Sequence, residues 1–287
     1  MQIHYLIDNP KASDTFSNSL DSYLDSRRKS VASITPIGYG GAFATNEGNS
    51  SFVIRDHKSG RRLLLDCGSL VYSDLREREL TDKIDWVYIT HTHEDHIGSL
   101  STLIYENWFI HKKKLKLVCH PSIRHQLTAY LITVCNHEYE LFDLEHYWEE
   151  YFAIDFPSIK LESFDTTGLH FPKLPTSGVV VTLLEADFKV VFSGDLGVDV
   201  TEFLELDKRL LEEKKMVVFQ DAGTYEFTEE THKVIPHAYY LDCDNLSTFL
   251  YHHFENEVPK MKENLKHAVS IADMVEKKES LLFYYYK

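Results

Sequence analysis

The segment THTHEDH, residues 90–96, places three histidines and two carboxylates within six positions, directly behind the apolar run WVYI. Imidazoles and carboxylates resist burial unless something satisfies their lone pairs, and a divalent metal ion does so best. His91 and His93 share one side of an extended loop, so both can grip one ion at about 2.0–2.1 Å per Zn–N bond. Asp95 and His96 come after the turn and can face a second ion, while Glu94 between them reads as a solvent-facing neighbour. A lone His-x-His has many ordinary explanations. Four donors in one short string behind a buried strand do not.

The elements around the string are those that would position it. DWVYIT reads as a buried strand, and EDHIGSLSTLIYENWF carries Ile97, Leu100, Leu103, Ile104 and Trp108 at helical spacing. The donors therefore sit at a strand's carboxyl end, where ligands collect in layered α/β folds. Upstream, SITPIG, SSFVIRD and RRLLLDCG read as strands. The turn GYGGAF between them lacks the Lys-Ser/Thr ending of a phosphate loop. Downstream come a strand at LKLVCH, a helix at SIRHQLTAYLITVC and a second strand set: IKLESFD, VVVTLLEAD, FKVVFSGD and KMVVFQDAG. The tail from Asp242 reads as helical until a last strand, SLLFYYYK. Two runs of strands with attached helices indicate an α/β fold, a four-layer αββα sandwich. Residues 1–32 read as an N-terminal extension with an amphipathic helix through Leu20 and Leu24. Residues 33–287 read as the catalytic domain. Within it, 136–156 is an aromatic-acidic insertion, either a helix packed on the core or a lid or dimer surface.

Charge and cysteine usage narrow the partners. The 287 residues carry a net charge of −15 and no long Lys/Arg block, so a large nucleic acid is disfavoured. Small anions remain open, because a metal centre dominates its local field. Cys67, Cys119, Cys135 and Cys243 form no Cys-x-x-Cys pair and read as buried thiols of a reducing compartment. Neither a secretory leader nor an apolar run of membrane-spanning length is visible, so the cytoplasm is the expected location.

THTHEDH resembles the HxHxDH signature of the metallo-β-lactamase fold superfamily, and the likeness extends over residues 33–230. GNSSFVIRDHKSGRRLLLDCG is similar to that family's opening hairpin, which implies that Asp66 supports the metal loop. TTGLHFPKLPTSGVVVTLLEADFKVVFSGD resembles its later half, and VVFQDAG, with Asp221, the strand after it. By this likeness His170 joins His91 and His93 on the first metal, and Asp195 bridges to the second, held by Asp95 and His96. Without it, His170 would read as a surface histidine beside Pro172 and Asp195 as a turn residue. The resemblance also implies a last histidine ligand. His252 and His253 in FLYHHFENE offer it, His253 in better register, or Tyr284 or Tyr285 takes its place. His232 and His237 lie where phosphodiesterase members carry a phosphate-contacting or proton-donating histidine, and His237 is preferred.

The implied cofactors are two divalent ions, zinc or else manganese, which lower the pKa of a water shared between them. Asp95 would orient that water as the catalytic carboxylate. PIGYGGAFATNEGNSSFVI and LLLDCG resemble the phosphodiesterase branch, which includes RNA 3′-processing nucleases and cyclic-nucleotide phosphodiesterases. The acidic body, and the lack of a basic arm in residues 111–165, favour a small or cyclic nucleotide phosphodiester as substrate. A tRNase Z-like RNA endonuclease is the alternative, and a non-catalytic metal-binding scaffold or partner subunit the third reading. A homodimer through Tyr147, Trp148, Tyr151 and Phe152 is also expected, by analogy.

Overall fold

The computed structural model describes residues 3–8, 28–45, 47–135, 141–144, 151–152, 156–185, 188–205, 215–221, 248–251 and 269–286. Its strands are β1 Ile3–Asp8, β2 Arg28–Gly38, β3 Ser51–Asp56, β4 Arg62–Leu65, β5 Trp86–Ile89, β6 Leu115–Cys119, β7 Phe142–Leu144, β8 Tyr151–Phe152, β9 Ile159–Asp165, β10 Ser177–Leu183, β11 Phe188–Phe192, β12 Met216–Asp221, β13 Thr248–Tyr251, β14 Val269–Ser270 and β15 Ser280–Tyr286. The helices are α1 Val71–Glu77, α2 Glu94–Ile97, α3 Leu100–Phe109, α4 Arg124–Val134, α5 Val200–Phe203 and α6 Ala272–Glu276. One sheet has the order β1-β15-β2-β3-β4-β5-β6-β7, the other β14-β13-β12-β11-β10-β9-β8. This is the layered α/β architecture that the alternation of strand and helix signals implied.

Side-chain alternation builds the layers. Phe52 and Ile54 of β3, with Trp86 and Tyr88 of β5, turn toward the second sheet and meet Leu161, Val181, Val190 and Phe219. Val53, Val87 and Ile89 turn the other way, onto Val71, Leu75, Leu103 and Leu127 from α1, α3 and α4. A smaller cluster, Val191, Leu196, Val200, Met216 and Val218, lies on the outer face of the second sheet beside α5. In each sheet the parallel strands deliver their carboxyl ends to one edge of the sandwich. There β5 and β10 lock together: Ser177 N donates to Thr90 O at 2.9 Å, and the Tyr88 and Ser177 hydroxyls are 2.8 Å apart.

Three expectations are corrected. The helix after the histidine string is two helices, because the Ser99 hydroxyl donates to Gly68 O (2.5 Å) and breaks the run at Gly98–Ser99. The insertion is not one packed helix. Phe142–Leu144 extends the first sheet beside β6, and Tyr151–Phe152 borders the second beside β9, so the chain crosses between sheets here. The tail also contributes strands, since Thr248–Tyr251 pairs in parallel with β12. The amphipathic helix through Leu20 and Leu24 falls outside the described residues, whereas Ile3–Asp8 pairs with β15.

Away from the histidine string, His57 in the turn after β3 is wedged between two serines of β2. Its Nδ1 is 2.5 Å from Ser30 Oγ and its Nε2 3.0 Å from Ser33 Oγ. Burial, aided by the positive charge of Arg55, lowers its pKa from 6.5 to about 4. The unfolded chain then binds the proton more readily than the native one. The contribution of neutral His57 is complete above pH 6.5 and declines as the pH falls toward 4, by about 3 kcal/mol in total. Urea midpoints measured from pH 7 to 4.5 should fall less steeply for His57→Gln than for the wild type. Parallel profiles would contradict this.

Candidate metal centre

The site is assembled where the two sets of strand ends meet. Asp66, the residue after β4, takes the left-handed conformation (φ 60°), which an aspartate tolerates better than most side chains. This turns its carboxylate under the histidine loop. Oδ1 accepts from Thr90 N at 2.8 Å, and Oδ2 accepts from the Thr90 hydroxyl at 2.7 Å and faces His96 Nδ1 at 2.8 Å. The backbone packs equally closely, with Cys67 N donating to His96 O at 2.7 Å. A Cβ on Gly68 would lie 1.9 Å from Asp95 O, so glycine is required there.

These hydrogen bonds set which ring nitrogens face the site. Thr90 has one hydroxyl proton, and Asp66 receives it. Thr90 Oγ1 can therefore only accept at the 3.1 Å contact with His91 Nδ1, so that nitrogen carries the hydrogen. His91 Nε2 is left with its lone pair, 3.1 Å from His93 Nδ1 and 3.7 Å from Asp195 Oδ2. In the same way His96 gives Nδ1 to Asp66 and turns Nε2 toward Asp95 Oδ2 (3.4 Å) and Asp195 Oδ1 (3.3 Å). A support of this kind fixes the tautomer and ring plane of a metal-binding histidine.

Asp195 follows Gly194, whose φ of 61° and 2.6 Å virtual Cβ contact with Ser177 O exclude a larger residue. Asp221, fully buried at the end of β12, holds this loop by accepting from Leu196 N, and its own N–H donates to Ser193 Oγ. His170 comes from the loop between β9 and β10, its Nε2 3.4 Å from Asp195 Oδ2 and 3.2 Å from His93 Nδ1. Two donor groups result, each with its atoms within 4.8 Å of one another: His91, His93, His170 and Asp195, and Asp95, His96 and Asp195. Asp195 belongs to both, turning Oδ2 to the first and Oδ1 to the second.

The electrostatics suit cations. Burial first, then the neighbouring His96, keeps His91 well below its ordinary pKa, so its lone pair is available at neutral pH. Burial and the charge of His170 lower His93 as well. His96 is the opposite case. Burial alone would lower it, but Asp195, Asp95 and Asp66 together raise it well above 6.5. Those three carboxylates favour positive charge at this ring. Imidazole and carboxylate donors match the chemistry of zinc or another divalent ion. Phe52 and Phe192 line a small cavity together with Asp66, Thr90 and His96, and Phe219 packs against both, stacked on Phe192 at 4.7 Å.

His91, His93, Asp95, His96, His170, Asp195 and Asp66, separated by up to 129 positions in sequence, thus come together. His232, His237, His252 and His253 lie outside the described residues. Tyr284 and Tyr285 pair with Ser30 and Lys29, whereas the site end of β2 is Gly38, opposite Ser51. Eight residues of strand, roughly 26 Å, separate the ends, so neither tyrosine stands in for a ligand. Glu94 is exposed, as read. Thr90 was not singled out from the sequence. Its only signal is a hydroxyl one position ahead of the first histidine.

Comparison with known proteins adds a family and a fold. The family Anti-Pycsar protein Apyc1 matches residues 32–279. An Anti-Pycsar protein Apyc1 of Bacillus phage 010DV004 is 38% identical over 78 residues, 27% of this chain and 30% of the phage protein. The alignment thus spans under a third of that relative's length. Among solved structures, the metallo-β-lactamase fold protein YhfI from Bacillus subtilis superposes with a TM-score of 0.62 at 19% identity, covering 84% of this chain and 95% of its own. Unliganded yeast PDE1 gives 0.61 at 13% identity, covering 88% and 99%. The metallo-β-lactamase fold is thereby established.

Proposed function

Because the chain belongs to the Anti-Pycsar protein Apyc1 family, we propose that it is a metal-dependent phosphodiesterase that hydrolyses a small, 3′,5′-cyclic nucleotide. The observation that carries the reading is the split carboxylate of Asp195, one oxygen toward each of two donor groups. His91, His93 and His170 would hold the first divalent ion, Asp95 and His96 the second, and Asp195 both. When bound, such a pair supplies an activated water and offsets the charge of a phosphodiester in an in-line displacement.

The chain's own groups do the rest. Asp95, buried and 3.4 Å from the His96 ring, can accept a hydrogen bond from the attacking water and orient it. Asp66 and Thr90 hold the His91 and His96 rings in the tautomers that present Nε2. The apolar rings of Phe52 and Phe192 beside Asp66, Thr90 and His96 lower the local dielectric, which strengthens charge interactions there. His237 is proposed to give a proton to the leaving oxygen and His253 to complete the second donor group, both from the family resemblance. A homodimer, and a cytoplasmic setting without membrane attachment, belong to the same reading. Among the described residues no helix is long and apolar enough to cross a membrane.

The net charge of −15 favours a mononucleotide over the second reading, an RNA endonuclease. Metal-loaded protein is expected to hydrolyse bis-p-nitrophenyl phosphate and at least one 3′,5′-cyclic nucleotide, with KM nearly constant between low and moderate salt. A polymer-binding nuclease must neutralise several phosphates, so its affinity would fall steeply over that range. Efficient cleavage of a tRNA precursor with cyclic nucleotides untouched would reverse the ranking. Inertness toward every phosphodiester would favour another hydrolase of the fold, or the scaffold. Light scattering of the same preparation reads the dimer.

A further inference from the structure

Phe171 directly follows His170 and differs from it in exposure. His170 is buried at 4% exposure, while Phe171 is 54% exposed. Single exposed aromatics are ordinary on protein surfaces. This one differs in how it is held and in what it borders. The loop carrying it is closed at its neck, where Thr166 N donates to Thr176 O at 2.9 Å and the Thr176 hydroxyl donates to Thr166 O at 2.8 Å. Two more bonds brace the loop: Gly197 N to Leu169 O at 3.0 Å, which ties it to the segment after Asp195, and Leu174 N to Phe171 O at 3.1 Å. The ring stands 6.2 Å from that of His93, nearly perpendicular at 78°. A hydrogen-bonded loop therefore presents a half-exposed aromatic ring at the rim of the candidate metal centre.

We infer that Phe171 is the platform on which the nucleobase of the substrate stacks, an assignment that rests on the cyclic-nucleotide reading above. With the phosphate at the donor groups, the ribose places the base one sugar away, beside the rim. An aromatic face there contributes affinity for any base, since every base has a π-face, and the preference is for larger rings rather than for one sequence of hydrogen bonds. Phe171 is thus a specificity-determining residue that separates nucleotides from phosphodiesters lacking a base.

Affinity for non-hydrolysed analogues tests this on the metal-loaded full chain. The phosphorothioate of adenosine 3′,5′-cyclic monophosphate is compared with the corresponding abasic ribose cyclic phosphorothioate. Wild type should prefer the adenosine compound, and Phe171→Ala should reduce that preference about tenfold, while Phe171→Trp retains it. Metal content is measured in each variant. A preference unchanged in Phe171→Ala overturns the platform and leaves the phosphodiesterase reading standing. Equal weakening toward both compounds, or loss of metal, also overturns it, because Phe171 would then act by positioning His170. If the wild type neither binds the analogues nor hydrolyses cyclic nucleotides, the functional reading itself falls, and the platform with it.

Discussion

Asp195→Ala is expected to lower phosphodiester hydrolysis by about a thousandfold or more and to reduce bound metal in both donor groups at once. The reason is its shared position. Oδ2 faces His170 at 3.4 Å and His91 at 3.7 Å, while Oδ1 faces His96 at 3.3 Å. Removing any one histidine leaves the other group intact, but removing this carboxylate takes an oxygen from each. It also removes negative charge that favours cations beside His96. The fold should survive, because Asp221 holds the loop through Leu196 N and Ser193 Oγ. Hydrolysis rates and metal content of the purified variant check this. A variant with full metal content and undiminished turnover would remove Asp195 and His170 from the centre together.

Asp66→Ala is expected to be costly for stability and metal affinity alike. Three buried donors, Thr90 N, the Thr90 hydroxyl and His96 Nδ1, lose their acceptor. Leaving such groups unsatisfied costs about 3 kcal/mol or more in sum. The left-handed backbone at φ 60° adds strain for alanine. With the support gone, His91 and His96 are free to change tautomer, and metal affinity should fall about ten- to a hundredfold. Asp66→Gly separates the causes, since glycine tolerates the backbone but supplies no carboxylate. Chelator competition and urea midpoints should show Asp66→Gly recovering part of the stability and none of the affinity. Recovery of both would show that the carboxylate is not what holds the histidines.

Where residue types alone carry the chemistry, the site was legible. Four donors behind WVYI, a strand with Trp86 and Tyr88 on one face and Val87 and Ile89 on the other, read as one strand-end cluster, and the structure gathers them at that strand end. His170 and Asp195 needed the family's motif order, because each alone is an ordinary turn residue. Thr90 was hidden for a different reason. A threonine at a strand end is what β propensity predicts, and only the placement of Asp66 beneath it gives its hydroxyl a task. Phe171 was equally silent, since only the folded loop, closed between Thr166 and Thr176, brings its ring to within 6.2 Å of that of His93.

The misread elements have a common cause. Phe142–Leu144 and Tyr151–Phe152 are strands of three and two residues, too short to show a period of two against helical spacing. They exist because β6 and β9 offer open edges to pair with. Thr248–Tyr251 likewise takes its form from β12, with Tyr251 opposite Asp221. Such strands are decided by partners far away in sequence, which local pattern does not contain.

Metal stoichiometry of the purified wild-type chain tests the two-group centre most directly. Elemental analysis after loading with zinc, and separately with manganese, should give two equivalents per chain, with His91→Ala losing one and Asp195→Ala losing more than one. A wild-type chain that binds one equivalent or none under saturating metal would contradict the account.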